Sequence, residues 1–179
     1  MRAVIITGKL ATDVEVTYPY YRLQEEGYEV HIAIRGKETV LAEKGWKLVP
    51  THDIPEIAVA RYDLLILPGG AKCLEYIRQD MDILRFISDF HEVWGGPIGC
   101  ICHGTQLLIS AGLVKGRRIS GYYSIKDDIT NAGATYVDAP FVTDGNIVTS
   151  PHYKHLGPWM KEVLRVAAIR RDHDYAKSV

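Results

Sequence analysis

Three short runs, residues 3–7, 63–67 and 97–101, are almost wholly apolar or β-branched instead of alternating polar with apolar. Strands of that kind must be covered on both faces, the condition of a parallel sheet lying between two layers of helix. The intervening chain supplies the helices. Residues 13–26 carry apolar side chains at 14, 16, 20 and 23 and end at Gly27, where a C-terminal glycine closes a helix. Residues 28–34 read as the next strand, 39–49 as a hairpin or loop excursion around Gly45, and 74–94 as helix with a break near Asp80. The strand at 97–101 runs into a helix ending near Ala111. A short strand at 118–121, a helix over 125–131 and a strand at 135–137 follow. Residues 141–150 read as a hairpin turning at Asp144-Gly145-Asn146, 155–169 as the last helix, and 170–179 as a polar tail. Strands separated by helices of this length imply right-handed crossovers and a mainly parallel α/β sheet.

No repeat, low-complexity segment or linker interrupts the 179 residues, so one domain over 1–179 is expected. The 21 Lys and Arg against 22 Asp and Glu give a net charge of −1, which argues against a nucleic-acid footprint or a polybasic membrane patch. No apolar run approaches the roughly 18 residues of a membrane span. Three cysteines, an odd number without a signal-peptide core, favour reduced thiols and a cytoplasmic protein.

In a sheet of this type ligands bind beyond the carboxyl ends of the strands. Three loops leave those ends, at residues 8–13, 68–72 and 101–104, and the last holds the sharpest feature, Cys100-Ile101-Cys102-His103-Gly104. A nucleophile at such a strand-to-helix junction sits in a tight turn, its side chain exposed above the sheet. The amides of the helix N-terminus favour thiolate, so Cys102 is expected to have a depressed pKa and to act as nucleophile. Cys100, on an apolar strand, is expected to pack in the core. His103 is either the partner of the thiol or a surface histidine. Pro68-Gly69-Gly70 offers backbone amides at Gly69 and Gly70 to an oxyanion, or is a plain turn. Thr12 or Asp13 can cap the first helix. Glu15 is then a helix-start acid, or, if aimed into the crevice, a carboxyl beside a thiolate whose proton the pair must share.

Several segments in order resemble one family. They include Asp13-Val14-Glu15 with Tyr18-Pro19, Leu65-Ile66-Leu67-Pro68-Gly69-Gly70, Ile101-Cys102-His103-Gly104, Ile125-Lys126-Asp127-Asp128 and Asp144-Gly145-Asn146. The chain to about residue 168 is similar to the PfpI-type intracellular protease and deglycase family, within the class I glutamine-amidotransferase-like superfamily. The resemblance implies a flavodoxin-like three-layer sandwich with a nucleophile elbow. It also implies Cys102 as nucleophile, Glu15 as the carboxyl bonded to it, and a homodimer or higher assembly. In that arrangement Glu75 is the best match for an acid that completes the partner subunit's His103. The chain departs from the family pattern at Thr12, where a second acid is usual, and over residues 151–159. His152 in that segment, with Tyr122 and Tyr123 adding aromatic surface near the predicted pocket, points to an altered substrate. His152 and His155 lack a third ligand and do not make a metal site.

These residues lead to a cysteine-dependent enzyme acting on a small carbonyl or acyl compound, of glyoxalase or deglycase type, with no cofactor. Peptide or amide hydrolysis through Cys102 and His103 is the alternative reaction. A redox-responsive stress protein that turns over at most once per thiol is the alternative class.

Overall fold

The computed structural model describes residues 1–178. In chain order it contains β1 (Arg2–Ile6), α1 (Asp13–Glu25), β2 (Glu29–Ala33), β3 (Val40–Leu41), β4 (Lys47–Leu48), β5 (Leu64–Leu67), α2 (Ala71–Ile77) and α3 (Met81–Glu92). It continues through β6 (Ile98–Ile101), α4 (Thr105–Ser110), β7 (Arg118–Ile119), α5 (Lys126–Asn131), β8 (Thr135–Tyr136), β9 (Val142–Asp144), β10 (Ile147–Ser150) and α6 (Leu156–Ser178).

Six strands form the central sheet in the order β2-β1-β5-β6-β10-β9. All neighbours are parallel except β9, which returns antiparallel on β10 through the Asp144–Gly145–Asn146 turn. Every residue of β5 and β6 is buried, as continuous apolar runs require. The α1 crossover leads from β1 outward to β2, whereas the crossovers after β5 and β6 lead the other way. Right-handed connections therefore place α1 on one face and α3 and α4 on the other. Accordingly α1 packs beside α6, and α3 beside α4. The fold is the mainly parallel α/β sandwich expected.

The break at Asp80 has a direct cause: its carboxylate caps α3 by accepting from the amides of Asp82 and Ile83. The excursion at 39–49 is the β3–β4 hairpin, in which Val40 pairs with Leu48. It is tied down by Asp13, which accepts from Lys44 N–H at 2.8 Å and Trp46 N–H at 3.0 Å. Asp13 thus serves the hairpin, and Thr12, although at the N-cap position, makes no side-chain cap. The strand at 118–121 and its partner at 135–137 pair as β7 and β8 outside the main sheet.

One expectation is overturned at the C-terminus. The segment read as a polar tail continues α6 to Ser178. Its Arg, Ala, Asp and Lys residues are compatible with helix but carry no apolar stripe that would announce one. Arg170 ties this extension to the domain by donating to the carbonyls of Trp94 at 3.0 Å and Gly95 at 3.3 Å.

Candidate active site

The elbow is built where β6 ends. Cys102 has φ of +59°, a left-handed conformation unusual for a residue with a side chain, and the chain then turns through Gly104 into α4. Gly104 is required by close approach: a Cβ there would lie 2.4 Å from the Leu67 carbonyl and 2.8 Å from that of Pro68. The elbow therefore rests on the end of β5, which brings the Pro68–Gly70 turn against Cys102.

The thiol is not exposed above the sheet as expected. Cys102 is only 6% accessible, although it lines a pocket. Its Sγ lies 3.4 Å from His103 Nδ1 and receives the amides of His103 and Gly70. Burial pushes the Cys102 thiol up, the Glu15 charge pushes it further, and the two amides do not offset them. The expected depression of the thiol pKa is thus reversed, by burial first and by the Glu15 charge second. Cys100 and Cys73 are also buried, and burial raises their thiols to about 12 and about 11.

Glu15 adopts the second of its two expected orientations. It lies in the first turn of α1 yet is fully buried and points into the crevice. Its Oε2 accepts from Gly69 N–H at 2.8 Å. Oε1 is buried without a partner of hydrogen-bond geometry, while the carboxyl interacts with the Cys102 thiol. Burial raises its pKa to about 7, against the opposing pull of the Gly69 amide and the Cys102 side chain. Gly69 is accordingly corrected from an oxyanion donor to a clamp on Glu15, because its one amide hydrogen is taken. The Gly70 amide instead faces Sγ.

His103 Nε2 lies 3.5 Å from Ser124 Oγ, and its ring tilts against Tyr122 with centroids 4.7 Å apart. Burial lowers its pKa, so the imidazole is neutral at pH 7. Glu75 is exposed on α2, and the described contacts of His103 within the chain do not include it.

Cys102 and His103 open onto a cavity of about 440 Å³ that Tyr122, Tyr123 and His152 also line, so these three aromatic residues do converge there. Ser124, Tyr153 and Glu43 share the lining and were not foreseen. Tyr153 stands beside His152 in the same aromatic run, a signal present in the sequence. Glu43 had none: it arrives on the hairpin, whose backbone docks by Glu43 N–H to Ala11 O and Leu10 N–H to Leu41 O.

The chain is 37% identical over 166 residues to the deglycase PfpI of Pyrococcus furiosus, covering 93% of this chain and 99% of that protein. It is 37% identical over 167 residues to protein/nucleic acid deglycase 2 of Escherichia coli, covering 92% and 95%. The Drosophila melanogaster DJ-1beta structure superposes with a TM-score of 0.85 at 24% identity, over 99% of this chain and 96% of that one. The DJ-1/PfpI family model matches residues 1–166, from the first strand into the last helix and across the whole elbow; the chain belongs to the DJ-1/PfpI family.

Proposed function

We propose that the protein is a cysteine-dependent enzyme of glyoxalase or deglycase type, acting on a small carbonyl or acyl compound. The observation that carries this reading is the buried Glu15 carboxyl, with its pKa near 7, set against the Cys102 thiol on the elbow. A base works best when its pKa lies near the working pH. Once the pair has lost one proton, a single negative charge remains to be shared. The proton can stand on sulfur, at rest, or on Glu15 Oε1, which leaves a thiolate accepting a hydrogen bond from the acid.

The chemistry follows from that proton. Sγ bonds to the carbonyl carbon as its hydrogen passes to Glu15, and the carbonyl oxygen takes up the charge near the amides of Gly70 and His103. For an α-oxoaldehyde Glu15 first passes the thiol proton to that oxygen, giving a hemithioacetal and freeing the carboxylate. The carboxylate then takes the C–H as a proton and returns it to the neighbouring carbon, while the hydroxyl proton moves to the former ketone oxygen. The aldehyde carbon rises to the thioester level and the ketone carbon falls to an alcohol, so no external oxidant or reductant is needed. Water cleaves the thioester, releasing a 2-hydroxy acid and restoring the thiol. The relatives named deglycases favour this class of substrate for this chain.

The 3.4 Å approach of His103 Nδ1 to Sγ favours a second reading, amide or peptide hydrolysis with the imidazole as base. A parallel assay of methylglyoxal and a peptide amide, on wild type and Cys102→Ser, decides between them. Lactate formation over many turnovers, lost in Cys102→Ser, is expected. Faster amide cleavage would establish the hydrolase instead, and consumption limited to one equivalent per Cys102 would leave the protein a thiol sensor.

A further inference from the structure

The ring of Tyr122 is the hub of an aromatic array at the mouth of the site. Its centroid lies 4.7 Å from His103, 4.6 Å from Tyr123 and 5.8 Å from His152, the last pair nearly parallel at 27°. The His152 ring in turn lies 4.0 Å from Tyr153. These rings line the same cavity of about 440 Å³ as the Cys102 thiol. Within one chain the outer two stay open, Tyr123 72% and Tyr153 49% exposed, and both line the cavity.

The charge around the array narrows what can lie on it. Within one chain no Lys or Arg among the described residues lines the cavity, and the one carboxylate that does is Glu43. Burial lowers the pKa values of both His103 and His152, which keeps the imidazoles uncharged at neutral pH. An anionic substrate would meet Glu43 and find no cation. A compact aliphatic one would leave the outer rings bare. A flat π-system offset-stacked on the rings would cover them, with its substituent directed along the array toward Cys102.

We propose that the site selects uncharged carbonyl compounds whose reacting group is attached to a flat aromatic or heteroaromatic ring. The ring is seated on Tyr122, Tyr123, His152 and Tyr153, with the carbonyl at Cys102. This inference rests on the thiol–carbonyl chemistry proposed above and names the substrate class it serves. Tyr123 and Tyr153 are its specificity-determining residues; neither takes part in the bond changes.

The test compares initial rates on phenylglyoxal, cyclohexylglyoxal and methylglyoxal. Phenylglyoxal and cyclohexylglyoxal expose a similar amount of hydrocarbon, but only the first is flat. Wild type is expected to show a kcat/KM for phenylglyoxal about three- to tenfold above that for cyclohexylglyoxal, the range of an aromatic pair beyond its buried area. Tyr123→Ala and Tyr153→Ala should each lower that ratio toward one, mainly through KM, and Tyr123→Phe should restore it. Equal kcat/KM for the two six-membered rings, or a ratio unmoved by both alanine variants, would overturn the ring platform while leaving the carbonyl chemistry standing. Failure of wild type to consume any of the three aldehydes would sink the carbonyl chemistry and the platform together.

Discussion

The Glu15 carboxyl and the Cys102 thiol sit side by side below the elbow, brought together from opposite ends of the site by a single backbone amide. Gly69 N–H holds Glu15 Oε2 at 2.8 Å across 54 residues of chain, and the same turn packs against Cys102. Oε1 is left without a conventional partner in a place water does not reach. A buried polar atom of that kind ordinarily costs about 1–3 kcal/mol. That cost is lowered if Oε1 carries a proton it can give to sulfur; burial raises the carboxyl to about 7 although the Gly69 amide and the thiol pull it down.

Gly69 is the position where this relationship is most easily broken. A Cβ at that residue would lie 2.7 Å from Glu15 Oε2, 2.8 Å from the His103 amide nitrogen and 2.9 Å from Cys102 Cβ. Two of the three are a backbone nitrogen and a Cβ, which cannot swing aside, and Glu15 Oε2 is buried and held by the Gly69 amide. Gly69→Ala should lose about 1–3 kcal/mol of stability from overpacking and most of its activity. Urea unfolding alongside the aldehyde assay checks both, and a variant with wild-type stability and rate would refute the packing described.

The raised Glu15 pKa has a definite sign in stability. The folded protein holds the Glu15 proton to about pH 7, whereas the unfolded chain releases it near the ordinary value of 4.5. Between those values the unfolded state binds fewer protons, so this group makes the protein less stable as pH rises, by about 3 kcal/mol over the whole window. Below pH 4.5 both states are protonated and the effect is absent. Glu15→Gln keeps the shape and removes the titration, so its stability should fall less than that of wild type between pH 4.5 and 7. Parallel curves for the two proteins, from urea unfolding at several pH values, would show that Glu15 does not titrate in this window.

The sheet and the elbow were legible in the sequence because each depends on neighbouring residues. The apolar runs at 64–67 and 98–101 could only be buried parallel strands, and Cys102-His103-Gly104 followed one of them directly. What was not legible depends on contacts far apart in the chain. Whether Gly69 presents a free amide turns on where Glu15 points. What lines the pocket beside Cys102 turns on rings at 122 and 152 and on a hairpin that Asp13 fastens through Lys44 and Trp46. The end of α6 was missed because a polar helix lacks the 3.6-residue apolar period by which helices are read.

Glu75 concerns the assembly. It stands exposed on α2, the helix that follows the Pro68–Gly70 turn, and His103 makes no described contact with it inside the chain. The protein is expected to be at least a dimer in which Glu75 reaches the partner's His103. Light scattering at micromolar concentration should therefore give twice the chain mass or more. Glu75→Gln should lower kcat about two- to tenfold, the value of one hydrogen bond to the imidazole. A fully active monomer would contradict this.

The last prediction asks which of the two neighbours yields its proton, and alkylation reads it directly. Cys73 and Cys100 lie in the core with thiols raised to about 11 and about 12, so neither should react at neutral pH. Burial and the Glu15 charge raise the Cys102 thiol as well, but only its proton has an acceptor beside it. When the Glu15–Cys102 pair loses its first proton, with an apparent pKa near 7 that belongs to the pair, part of the population carries the charge on sulfur. Iodoacetamide labelling of Cys102, mapped by mass spectrometry, should therefore rise through a midpoint near pH 7, below the ordinary thiol value of about 8.5. Glu15→Leu removes both the acceptor for the thiol proton and the donor to the thiolate, while burial stays. Its midpoint should then move upward by at least about one to two units, past the ordinary thiol value. The loss of Glu15's charge acts the other way, since a carboxylate that only repelled the thiolate would lower the midpoint on removal. An unchanged or lower midpoint in Glu15→Leu would mean that no proton is shared and that Glu15 acts on Cys102 through its charge alone.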